Sequence, residues 1–476
     1  MRIEITKCSG TAAGIKSCNK TSISKIKSKS NAGKLRLQPL LLVLNYFDNN
    51  DNISSSAGST IQQRTTDEIL PQEQEQGRQV ISSNNASGTE LLDNNDTISS
   101  SSGSAIRKQP NDEKLSLEGI VFSLPDSDHL IVNGFNLSYA FHQLQQSVSA
   151  KWKHSLEEHV HLALASTSVL WLTRNRYPQD VSAFISYANW NAAVDSVEEM
   201  YGIKRQPIPL VVTSSLISIV DDLLNEKINR EQANVRMISL SLEPNAHKFA
   251  KALGLLLQKL PNQPLEEDFG EAELCTRFVD PFLCGLFDSP DHNVYLRWTN
   301  ESTLEAKSAN GSNERPDICI TKSLGVRWTT NLGYGEAKSA ARDQDNYLIC
   351  WDLLKVTIFC KEALDSQQME GMLGMQIIGR TIKFYLLVLP ASGLYGLIDL
   401  AVIKLPDSLQ NLTSFVTEVA NVLKVLDAFD RVCVPASDAP TIMSRCTPTV
   451  SMAKLAQLFT SSRNRKKRCH VKLRNN

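Results

Sequence analysis

Arg315-Pro316-Asp317-Ile318-Cys319-Ile320 and, further on, Gly335-Glu336-Ala337-Lys338 decide the reading of this chain. A carboxylate heads one apolar run, and a Glu-Ala-Lys triplet closes the next, nineteen positions from Asp317 to Glu336. In a strand successive side chains alternate faces, so Glu336 and Lys338 share a face and Ala337 takes the other. If the two runs are neighbouring strands, three ionisable groups meet at one sheet edge. Two carboxylates offer hard oxygens suited to Mg²⁺. A nearby ammonium can hold or deprotonate a water, or steady a negatively charged transition state.

The surrounding elements alternate. Leu265 to Val279 reads as a helix, restarted by Asp280-Pro281 as cap and first-turn proline. A strand is expected at Val294–Trp298, then the Asp317 and Glu336 strands. Asp343 to Leu364 is a helix with Tyr347, Trp351, Leu354 and Ile358 on one stripe. Strands follow at Met375–Ile378, Thr381–Leu389 and Leu394–Leu405, and a last helix runs from Ser408 to Phe429. This order predicts an α/β fold, a central mixed sheet flanked by helices.

The Pro-Asp and Glu-x-Lys elements, in this setting, resemble the PD-(D/E)xK nuclease superfamily, over roughly Leu265 to Val434. More narrowly, the chain is similar to a group of uncharacterised fungal proteins with this core. The resemblance implies a restriction-endonuclease-like core in which Asp317 and Glu336 bind Mg²⁺ or Mn²⁺ and the Ala337 carbonyl is a third oxygen donor. Lys338 would serve the attacking water. The family usually adds a helix carboxylate. Glu271 and Glu273 both qualify, with Glu273 preferred here, although acids near a helix start are also favoured by the helix dipole. Glycines at 333 and 335 suit close approach of a backbone, metal or substrate.

Charge is segregated. Formal net charge is −1, yet Leu265–Arg431 holds 24 acids and 15 bases, a net of −9. So acidic a segment is no polyanion binder by its overall field. Bases concentrate at the ends: nine Lys/Arg against Glu4 alone up to Leu37, and seven with no acid from Arg463 onward. The latter run suits a nuclear address or a phosphate-binding tail. Ten cysteines form no CxxC pair or zinc-spaced cluster, which implies a reducing compartment. His154, Glu158 and His161 would share a face only if helical, and the spacing is not HExxH. No apolar run is long enough for a membrane span. The expected location is nuclear or cytoplasmic.

The remaining chain divides by composition. Residues 1–116 are basic and then Asn/Ser-rich, too polar to offset their ordering entropy. They contain a duplication, Asp48–Ile61 returning as Asp93–Ile106. Residues 117–262 read as a mostly α-helical region packed on the next domain, and 263–435 as the nuclease-like domain. Residues 436–476 read as a flexible basic tail.

The sequence thus points to a metal-dependent nuclease acting on DNA ahead of RNA. Its rivals are a catalytically silent binding module, mobile-element-derived or an effector, and a scaffold with neither metal nor nucleic-acid affinity.

Overall fold

The computed structural model describes residues 122–148, 154–174, 176–266, 269–309 and 314–462. The duplicated N-terminal segment and the basic run from Arg463 lie outside them, as do the expectations placed there. Among the described residues no helix is long and apolar enough to cross a membrane.

A two-residue ladder, β1 (Ile131–Val132) with β2 (Phe135–Asn136), leads into α1 (Leu137–Gln146), capped by the Asn136 side chain. Next come β3 (His154–Ser155), α2 (Val160–Ser166) and β4 (Val169–Leu172). Four helices follow: α3 (Tyr187–Met200), α4 (Leu210–Leu224), α5 (Arg230–Ile238) and α6 (Pro244–Lys259). Asn229 and Gln232 close a capping box on α5.

The helix expected from Leu265 begins later, as α7 (Glu271–Leu274). It passes through one π-helical turn, Cys275–Val279, into α8 (Asp280–Phe287) without a break. Pro281 has no N–H for the Arg277 carbonyl four residues back, and the wider turn relieves that conflict.

β5 (Val294–Trp298) and α9 (Leu304–Ala309) precede the hairpin of β6 (Ile318–Leu324) and β7 (Arg327–Lys338). Leu324 pairs with Arg327, so Gly325 takes the first place of a two-residue turn, at φ +58°. The crossover helix α10 (Asn346–Gln367) is capped by Asp345 and leads to β8 (Gly371–Ile378), parallel to β7. β9 (Thr381–Ala391) and β10 (Leu394–Lys404) form an antiparallel hairpin.

The expected last helix is two: α11 (Leu412–Val416) and α12 (Val419–Val432). At the interruption the Thr417 hydroxyl donates to the Ser414 carbonyl at 2.7 Å, competing with the helical ladder.

Seven strands form one mixed sheet, in the order β4-β10-β9-β8-β7-β6-β5, with β4/β10 and β7/β8 parallel. α10 covers one face. Val356 lies over Gly374, and Gln376 donates to the Ile349 carbonyl at 2.6 Å. On the other face Phe287 of α8 packs on Phe384 of β9 and on Phe429 of α12. β8, covered on both sides, is buried throughout, as its nearly unbroken apolar run requires.

Two expectations are corrected. The helical segment is not a separate unit ending at residue 262, because β4 is an edge strand of the sheet and its side chains belong to the same core. The chain after 436 is not wholly a free tail. α13 (Ala439–Arg445) and α14 (Met452–Leu458) lead to β11 (Phe459–Thr460), which pairs with β3. Lys361 of α10, fully buried, anchors this segment. Its Nζ pairs with Asp365 at 3.0 Å, donates to the Thr447 carbonyl and to Thr449 Oγ1 at 3.1 Å, and lies 4.4 Å from the Tyr395 ring centre.

Candidate active site

The pairing of Ile318 with Gly335 brings Asp317, one residue before β6, beside Glu336 on β7. The two runs are therefore neighbours, as the sequence reading required. The Ala337 N–H donates to Asp317 Oδ2 at 2.9 Å, which orients the carboxylate. Lys338 Nζ lies where the oxygens converge: 2.9 Å from the Ala337 carbonyl and 3.3 Å from both Asp317 Oδ2 and Glu336 Oε2. Asp317 forms the lip, 35 % exposed, and Glu336 the floor, 1 % exposed.

Two further charges come from α10. Lys355 Nζ pairs with Glu336 Oε1 at 2.7 Å and approaches Glu314 at 3.7 Å, while Asp352 Oδ2 lies 3.8 Å from Lys338. Asp352 and Lys355 are spaced i, i+3 and so share the helix face turned to β7. The sequence reading named neither, because it followed only the apolar stripe of this helix. A signal was present. α10 is apolar around its whole circumference, so it must be buried, and its charges must find partners.

The surroundings shift these groups. Burial, then the neighbouring Asp317, raises the Glu336 carboxyl above its ordinary value, against Lys355 and Lys338. Burial pushes Asp352 up to about 7, though Lys338 opposes it. Burial works against the Lys338 charge, but Asp352, Asp317 and Glu336 outweigh it and raise the ammonium well above the ordinary lysine range. Lys338 is therefore held protonated at neutral pH. Four carboxyl groups, those of Asp317, Glu336, Asp352 and Glu314, thus gather around two ammoniums.

Among the described residues no three His, Cys, Asp or Glu side chains form a ready-made metal cage. The donor set around Lys338 Nζ is two carboxylate oxygens and one backbone carbonyl, with the ammonium as a stand-in cation. That set fits Mg²⁺ or Mn²⁺, both of which take hard oxygens.

Glu273 does not join the cluster. It forms an exposed i, i+4 pair with Arg277 at 2.8 Å. On the same helix, burial pushes the Cys275 thiol up to about 12, with Glu271 and Asp317 adding to the rise. Paired outward with Arg277, Glu273 thus stands apart from the cluster, against the preference given to it from the sequence. The glycines of β7 also have another reason. A Cβ at 333 would meet the Leu373 carbonyl oxygen at 2.7 Å, and one at 335 would meet Met375 and Ile318 at 3.2 and 3.3 Å. They let neighbouring strands pack close. His154 lies in β3 and His161 in α2, stacked on Trp171 at 4.9 Å, so no shared helix face forms.

Compared with known proteins, the chain matches no family model, no curated protein and no solved structure.

Proposed function

We propose that this chain is a divalent-metal-dependent nuclease of the PD-(D/E)xK type, hydrolysing phosphodiester bonds of DNA. One observation carries the reading. Asp317, Glu336 and the Ala337 carbonyl direct three oxygens at one point, and a cation already sits there. Folding alone gives no reason to gather such charges at a sheet edge. Asp317, Glu336 and the Ala337 carbonyl would hold Mg²⁺ or Mn²⁺, which supplies Lewis-acid polarisation of a phosphoryl oxygen and activation of water. Lys338, beside the same oxygens, would balance negative charge building on the phosphate or position the attacking water. Lys355 holds Glu336 in place from behind. The test incubates the purified full chain with plasmid and single-stranded DNA, with Mg²⁺ or with EDTA, beside Asp317→Ala. Equal cleavage by variant and wild type removes the proposal.

The second reading, a silent binding module, draws on a specific contact. Glu336 is already neutralised by Lys338 and Lys355, within a segment of net charge −9. Calorimetric titration separates the two: a heat of Mg²⁺ or Mn²⁺ binding that disappears in Asp317→Ala favours the nuclease, and no heat favours the module.

A further inference from the structure

The hairpin of β6 and β7 outruns the sheet. β7 pairs with β8 only from Gly333 onward, so its first residues and their β6 partners project as an arm. Leu324, Val326, Arg327 and Trp328 are exposed there. Beside the arm, β5 is the edge strand.

Registers show which way this surface looks. Arg297 pairs with Cys319 and Tyr295 with Thr321. Cys319 lies two residues from Asp317, so Asp317, Arg297 and Tyr295 share one sheet face. On that face the Arg297 guanidinium lies 4.3 Å from the Trp328 ring centre, and Tyr295 meets Trp328 edge-on at 5.5 Å. Trp328 is still 41 % exposed. Charge is distinctive too. β5 and the stretch 315–330 carry Arg297, Arg315, Lys322 and Arg327, with Asp317 as their one acid, inside a segment that is otherwise strongly acidic. The nearby Glu301 is engaged by Lys307 at 2.9 Å.

An exposed aromatic cluster with interleaved arginines, on the sheet face that also carries Asp317, matches the chemistry of unpaired nucleic acid. Bases stack on rings and guanidinium planes, and phosphates pair with the cations. A duplex hides its base faces and offers no such stacking. We propose that Tyr295, Arg297 and Trp328 form a stacking platform for single-stranded nucleic acid, at the far end of the β-hairpin that carries Asp317 and Lys338. The inference rests on the nuclease reading and names its substrate form.

Fluorescence anisotropy tests it, with labelled oligothymidylate and a blunt duplex of equal length, in EDTA so that nothing is cut. The full chain is compared with Trp328→Ala, Trp328→Phe, Arg297→Ala, Arg327→Glu and Asp317→Asn. The single strand binds more tightly than the duplex. Trp328→Ala and Arg297→Ala weaken it by at least about fivefold, and Trp328→Phe recovers most of the loss. Arg297→Ala also lowers the slope of log affinity against log salt by about one. Asp317→Asn binds at least as tightly as wild type. Circular dichroism verifies folding, and Arg327→Glu, at an exposed position, repeats the loss of affinity where a tryptophan variant misfolds. Unchanged affinity in the platform variants, tighter duplex binding, or no binding at all overturns the platform. Cleavage assays keep the readings apart. Mg²⁺-dependent cutting with unaffected binding in the platform variants leaves the nuclease standing alone. Platform-dependent binding without cutting leaves the platform standing alone.

Discussion

The main-chain N–H of Ala337 donates to Oδ2 of Asp317 at 2.9 Å, so the backbone of β7 aims the carboxylate that heads β6. The two residues are twenty positions apart, and only the strand register brings them together. The backbone sets the direction of the carboxylate, which is the preorganisation that the proposed nuclease reading calls for.

Asp317→Asn keeps an acceptor for that N–H and removes the charge. Mg²⁺-dependent cleavage is expected to fall roughly 100-fold or more. The melting temperature should hardly move, because the side chain lies at the lip. Initial-rate assays beside a thermal melt check both parts.

Lys355 neutralises the buried Glu336 from 2.7 Å. Lys355→Met leaves Lys338 as the remaining partner, so a loss of about 1–3 kcal/mol in urea unfolding is expected. Pairing it with Glu336→Gln should restore most of that loss, because the buried charge then goes with its partner.

The raised carboxyls give stability a pH dependence. Asp352 moves from an ordinary 3.8 to about 7, and Glu336 is also raised. Between about pH 4 and 7 the folded chain therefore binds more protons here than the unfolded chain. This part of the stability is present below the unfolded pKa and is lost as pH rises toward 7, by at most about 1.4 kcal/mol per pH unit for each group. Asp352→Asn should flatten the slope in unfolding titrations across that range. On the proposed nuclease reading, affinity for Mg²⁺ is expected to move the other way, tightening with pH as Glu336 gives up its proton, and calorimetry at several pH values checks it.

Gly333→Ala drives a methyl to 2.7 Å from the Leu373 carbonyl oxygen, which belongs to the β7/β8 ladder and has little room to yield. Destabilisation of about 1–3 kcal/mol is expected. Gly335→Ala, with contacts of 3.2 Å or more to side chains, should lose less. Side-by-side denaturant curves rank them.

Much of this was legible because local pattern and tertiary role agreed. β5 appears at the expected residues, and β8, β9 and β10 are apolar runs bounded by turns. Other features were not. Val169–Leu172 is four apolar residues between helices, and its strand partner lies at Tyr395–Ile398, far beyond any local window. The split between α11 and α12 hid because Phe415, Val419 and Val422 keep helical spacing across it. At the site, Asp317, Glu336 and Lys338 could be read from their motif. Asp352 and Lys355 matter only once α10 is known to lie over β7, which is a fact of packing.

The pairing of Val169 with Tyr395 also bears on how the chain is made. β4 leaves the ribosome 226 residues before the strand that receives it, which is roughly 10–45 s of synthesis. Through that interval Val169, Leu170, Trp171 and Leu172 have no sheet to join. The helical half must shelter them, or a chaperone must, until the β9–β10 hairpin emerges.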